Sequence, residues 1–157
     1  MTSPAFASEA PAPGSAPSLA FDDQLCFALY AASRALTARY RPLLDELGLT
    51  FPQWLVMLLL WEESPMTVGQ LGRRLLLDSG TLSPLLTRME AAGLVTRARS
   101  QIDERTVEIR PTDAGLALRE RALDVPPVIC DATGMTDEAR QDLNVVLRSL
   151  TATLTAL

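Results

Sequence analysis

The stretch Thr67–Thr112, TVGQLGRRLLLDSGTLSPLLTRMEAAGLVTRARSQIDERTVEIRPT, decides the fold. "TVGQ" at Thr67–Gln70 sets a hydroxyl residue three positions ahead of a glutamine, the reciprocal capping signature of a helix start. A short helix therefore follows, and "LDSG" turns the chain. A further helix runs from about Thr81 to Ala92 and is closed by Gly93. With its cap near Gly80 or Thr81, Pro84 falls in the first turn, where a missing N–H matters little. Next, two β-capable runs, Leu94–Arg99 and Thr106–Arg110, flank a polar tip and predict a hairpin with a long loop. A helix pair joined by a glycine-containing turn is by itself mostly a packing motif. Followed by a hairpin with arginines at its strand edges and tip, it is a winged helix. Its second helix suits a major groove, and its wing suits a neighbouring groove.

Working outward, apolar residues from Asp22 to Leu47 recur at helical spacing: Leu25, Ala28, Leu29, Ala32, Leu36, Leu43, Leu44 and Leu47. Asp22 or Asp23 is the expected N-cap. Pro42 is expected to end or bend this helix near Tyr40, with Gly48 stopping the second piece. "TFPQ" at Thr50–Gln53 opens an apolar helix through Trp61. Past the hairpin, Thr112 caps a helix to about Asp124, "VPP" at Val125–Pro127 interrupts it, and "MTDEA" caps a last helix reaching Leu157. The fold class is thus mainly α with a small β-hairpin, the winged helix-turn-helix covering about residues 50–112. Residues 1–20, mostly Ala, Pro and Ser, read as a disordered leader in a cytoplasmic protein.

The chain has 157 residues, enough for one domain with a core. Its longest apolar run, Trp54 to Trp61, is well short of the roughly 20 residues that span a bilayer. There is no histidine, so imidazole chemistry, the common zinc sets and any Ser-His-Asp or Cys-His arrangement are excluded. No cofactor or metal is expected, and an enzyme is disfavoured. The formal charge of −5 argues against nucleic acid only while it is taken as uniform. All 14 basic residues are arginine, and seven lie between Arg73 and Arg110 against five acids, a local net of +2; the remainder nets −7. Phosphate contacts are therefore sought in the middle third.

Ser79, Thr81 and Ser83 crowd the start of the second helix, where hydroxyls and free backbone N–H groups reach phosphates and base edges. Arg88 lies two turns on, placed for a phosphate or a guanine edge. Arg97, on the first strand of the hairpin, is a further expected DNA contact. At its tip, Asp103 can hold Arg105 for insertion into a narrow minor groove; the bland alternative is a surface ion pair.

Cys26 falls in the first turn or so of its helix, where the positive end of the dipole favours a thiolate. Tyr30 follows on the same face at i+4, placed to donate its phenol proton to sulfur. Tyr40 is fourteen residues on, roughly 21 Å along a helix, out of reach within one chain. Taken alone, Cys26 is more often a small buried hydrophobe than a sensor. Phe27, Leu29 and Trp54 either line an apolar peroxide pocket or belong to the plain core.

From about residue 20 to 155 the chain resembles the MarR superfamily of winged-helix dimers. "DERTVEIRPTDAG" is similar to that superfamily's wing signature. "DQLCFALYAASR" and "LDSGTLSPLLTRMEAAGL" are similar to the sensor and reading helices of its OhrR regulators of organic hydroperoxide resistance. The resemblance implies dimerisation helices at 22–48 and 113–157, a homodimer on a pseudo-palindromic double-stranded operator, and release on oxidation by organic hydroperoxide. It implies further that Tyr30 and Tyr40 stabilise the thiolate of Cys26, the tyrosines donating to the partner's cysteine. Cys130 stands about where two-cysteine members carry a resolving thiol, the disulfide within or between subunits left open. Two rivals remain: a regulator answering a non-covalent phenolic ligand, and a thiol peroxidase.

Overall fold

The computed structural model describes residues 19–99 and 106–156. The chain divides into two compact units, the first ending at Leu36 and the second starting at Thr37.

In the first unit a 3-10 turn over Phe21–Asp23 precedes α1 (Leu25–Leu47). Asp22 and Asp23 are therefore spent in that turn and do not cap α1, whose first turn holds no acid. The carbonyl of Gln24 takes up the leading amides instead, accepting from Phe27 N at 3.1 Å and Ala28 N at 3.2 Å.

In the second unit, α1 continues past Pro42 to Leu47 and does not end near Tyr40. The proline forfeits one ladder bond, but it lies exposed, and the turns beyond it bury Leu44 and Leu47. Burial of about 2 kcal/mol for each leucine outweighs that lost bond. Thr50 then starts α2 (Phe51–Glu62), its N–H donating to Gln53 Oε1 at 2.8 Å. Thr67 starts α3 (Val68–Leu75) by the same reciprocal pair, with bonds of 2.7 Å and 3.1 Å to Gln70.

The next helix, α4 (Ser79–Ala91), is capped by Asp78 rather than by Gly80 or Thr81. Pro84 consequently sits inside the helix and not in its first turn. The carbonyl four residues back, of Gly80, loses its helical donor there. Gly93 closes the helix in the left-handed region, φ 70°.

The expected hairpin forms from β2 (Val95–Arg99) and β3 (Val107–Pro111), antiparallel with Arg97 opposite Ile109. A strand that the sequence did not announce, β1 (Met66–Thr67), pairs with the other edge of β3, Met66 opposite Ile109. Sheet order is β1-β3-β2. At two residues, β1 is too short to show a period of 2; only its partner reveals it. The hairpin's root is tied down by hydrogen bonds: Thr112 N to Leu94 O at 3.0 Å, Thr112 Oγ1 to Gly93 O at 2.6 Å, and Gly115 N to Thr112 Oγ1 at 3.0 Å. Trp61 Nε1 adds a fourth, to Gly115 O at 2.9 Å.

Thr112 caps α5 (Asp113–Ala122) as expected. The "VPP" segment opens a separate helix, α6 (Val125–Thr133), because prolines are tolerated in a first turn. Thr136 caps α7 (Asp137–Thr155). The core of this unit joins Leu44, Trp54, Met57 and Leu60 to Leu71, Leu86, Met89, Val95 and Ile109. It therefore binds the helix pair and the sheet into one body. Among the described residues, no single helix is long and apolar enough to cross a membrane.

Candidate nucleic-acid interface and thiol site

Helix α4 turns Leu82, Leu85, Leu86 and Met89 into the core. That burial leaves Ser79, Thr81, Ser83, Thr87 and Arg88 exposed, so the expected reading residues do stand in solvent. The geometry changes their chemistry, however. Asp78 accepts from Thr81 N at 2.8 Å and from Thr81 Oγ1 at 3.1 Å. The Thr81 amide holds the Asp78 carboxyl below its ordinary range, with the Thr81 hydroxyl adding to the effect. An anion thus already occupies the start of α4, and one of the amides expected to be free for phosphate is taken. Sequence placed Asp78 in the turn; its role as the cap was legible only as an acid preceding a hydroxyl-rich helix start.

Arg97 leaves β2 to meet α4. Its Nη2 donates to Ser83 O at 3.1 Å and to Thr87 Oγ1 at 2.9 Å, and Thr87 Oγ1 in turn donates to Ser83 O at 2.9 Å. Nε lies 3.3 Å from Glu90 Oε2. Sequence reasoning missed Thr87 and Glu90, which share a helix stripe with Ser83 and meet Arg97 only in three dimensions. Asp103 and Arg105 lie outside the described residues.

In the first unit, Cys26 is an exposed free thiol at the second position of α1, within the first turn as expected. Tyr30, one turn on and 56% exposed, accepts from Arg34 Nη1 at 3.1 Å. Among the described residues it makes no hydrogen bond to Cys26. Its phenolic hydrogen is therefore not spent on the thiol of its own helix, and the guanidinium on its oxygen makes that O–H a stronger donor. Phe27 is partly exposed and rests on Phe21, ring centroids 4.1 Å apart; Leu29 is half-buried.

In the second unit, Tyr40 is half-buried between Phe51 and Trp54, at centroid distances of 5.1 Å and 6.4 Å. Burial raises its phenol above the ordinary value, and the electrostatic influence of Cys130 raises it further. Cys130 is a half-buried free thiol on α6. Trp54 is a core residue, 2% exposed. It also floors a cleft of about 270 Å³ lined by Leu58, Trp61, Leu123 and Pro126, with Glu62 and Arg119 at the rim.

Comparison with known proteins bears on the family and the fold. The MarR family model matches residues 49–107, from the end of α1 to the start of β3. The organic hydroperoxide resistance transcriptional regulator of Bacillus subtilis is 49% identical over 133 residues, covering 85% of this chain and 90% of that protein. The regulator AbfR of Staphylococcus epidermidis is similar in structure. Reduced and bound to DNA it superposes with a TM-score of 0.67 at 37% identity, covering 85% of this chain and 93% of that one. In its disulfide-formed state the TM-score is 0.58 at 37% identity, over 83% and 91%.

Proposed function

The chain belongs to the MarR family of transcriptional regulators, and from that premise we propose that it is a cytoplasmic, homodimeric repressor whose hold on DNA is released by organic hydroperoxide. The observation that carries this reading is Cys26: a free thiol, exposed in the first turn of a helix whose next turn presents a tyrosine backed by arginine. A structural cysteine would be buried and idle.

The chemistry balances as follows. The Cys26 thiolate attacks one peroxide oxygen; the O–O bond breaks, Cys26 becomes a sulfenic acid, and the other oxygen leaves as alkoxide and takes a proton to give an alcohol. The Cys130 sulfur then attacks the Cys26 sulfur, the S–O bond breaks, and a disulfide and water form. Phenol protons from Tyr30 and Tyr40 stabilise the anion, both acting on the partner's Cys26. Phe27 and Leu29 beside Cys26 provide apolar surface that favours an organic peroxide over hydrogen peroxide, while Trp54, a core residue, backs Tyr40. Exposed apolar residues of α7, Leu143, Val146 and Leu154, supply part of the dimer seam. DNA is read by Ser79, Thr81, Ser83 and Arg88 in a major groove and by Asp103 and Arg105 at the wing. Both subunits contribute to binding, so a few ångströms of mis-spacing between the two half-sites forfeits many contacts at once. The relative AbfR, solved reduced on DNA and also in a disulfide-formed state, supports a thiol-controlled DNA binder of this shape.

The test is a gel-shift on a duplex selected by the reduced wild type, with cumene hydroperoxide added. Wild type releases at about one equivalent per subunit, Cys26→Ser stays bound throughout, and Cys130→Ser releases less durably. Release of Cys26→Ser at the same dose would sink the reading. One observation favours a second reading. The cleft of about 270 Å³ beside Trp54 and Trp61 is lined mainly by apolar side chains, with Arg119 and Glu62 as its charged groups, and is large enough for a ring-sized ligand. Under that reading Cys26→Ser still answers its inducer.

A further inference from the structure

The recognition helix is weakly held along its own backbone. Pro84 withdraws an amide from its middle, leaving Gly80 O without its helical donor. Its last turn carries both Arg88, which suits the negative end of the dipole, and the carboxylate of Glu90, which does not. One side chain from the sheet braces the helix beside the gap left by Pro84 without filling it, its donors going to Ser83 O and Thr87 Oγ1 and not to Gly80 O. Arg97 reaches from β2 onto the stripe Ser83, Thr87, Glu90, which rises up one side of α4 at helical spacing. Its Nη2 spends two hydrogens there, on a backbone carbonyl and a hydroxyl, and its charge faces Glu90. The Nε–H is shut away from solvent and is compensated by the Glu90 charge at 3.3 Å rather than by an aligned hydrogen bond. Only a planar fork can serve all three partners; a lysine ammonium on a flexible stem cannot.

We infer that Arg97 is a positioning residue, a strut that sets the angle between wing and recognition helix, and that it does not act as a phosphate contact. This rests on the DNA-binding reading above for its consequence, but the strut itself is a property of the free protein.

The rival role, a phosphate contact, predicts opposite results. A phosphate contact tolerates Arg97→Lys, gives up about 0.9 of the salt slope when its charge is removed, and improves when the neighbouring carboxylate of Glu90 is neutralised. A strut does the reverse. Affinities of reduced wild type, Arg97→Lys and Glu90→Gln for a duplex selected by the wild type, and for an unrelated duplex, are measured across a salt series. The expected result is a loss of about tenfold on the selected duplex for both variants. The slope and the affinity for unrelated DNA should not change. Wild-type binding by Arg97→Lys, or tighter binding by Glu90→Gln, overturns the inference. Amide hydrogen exchange on the same proteins without DNA decides the strut separately. Faster exchange over Thr87–Ala91 in Arg97→Lys, with α2 unchanged, supports it, and unchanged exchange overturns it. A wild type that selects no duplex would defeat the DNA reading while leaving the exchange result to judge the strut.

Discussion

Asp78 shows how much one side chain sets at the mouth of the recognition helix. Its carboxyl, held down by the Thr81 amide and hydroxyl, is more acidic folded than unfolded. The stability it adds is therefore fully present above its unfolded value, near pH 4, and is lost as pH falls through the lower folded value. Urea midpoints of wild type and Asp78→Ala should differ at about pH 6, wild type higher, and draw together as pH falls progressively below about 4. A difference that persisted in acid would mean the cap works without its charge. Leu76 is the opposite case, a residue its backbone does not want. It closes α3 at φ 55°, ψ 39°, with 63% of its surface exposed. A left-handed leucine costs about 1 kcal/mol, with little burial to offset it. Leu76→Gly should raise the melting temperature by about 3 °C by calorimetry. Asp78 as cap was half-legible in "LDSG"; the strain at Leu76 was not, since a leucine there looks like one more apolar residue.

Among the elements, the wing is held by its root. Thr112 bonds to Gly93 and Leu94, Trp61 donates to Gly115 O, and Gly115 lies so close that a Cβ would collide with the Leu94 carbonyl oxygen. That neighbour is backbone and cannot swing aside. Gly115→Ala should thus lose about 2–3 kcal/mol of unfolding free energy in urea. A neutral result would show that α5 can slide. The helix pair and hairpin were legible because capping boxes and strand alternation are local. Strand β1 and the continuation of α1 through Pro42 were not, because each is decided by what packs or pairs with it: Ile109 for Met66, the core for Leu44 and Leu47.

For the whole molecule, α7 is the telling surface. None of its residues is fully buried, with Leu147 and Leu150 only half-buried, and Leu143, Val146 and Leu154 form an exposed apolar stripe at helical spacing. If that stripe is the dimer seam, Val146→Glu should shift the sedimenting mass from twice the 17.0 kDa chain toward the single chain at micromolar concentration. It should weaken operator binding in proportion. A variant that remained dimeric would move the seam elsewhere.

By itself the sequence determined the winged helix, the family resemblance and the two thiols as candidates, since these depend on spacing, capping and residue type along a local stretch. Only the tertiary structure decided which side chains are already engaged: Thr81 by Asp78, Tyr30 by Arg34, and Arg97 by the stripe on α4. The physical reason is that a hydrogen bond or ion pair needs angstrom-scale approach. Approach between residues distant in the chain, such as Arg97 and Ser83, is set by how the core packs and is not written in either segment alone.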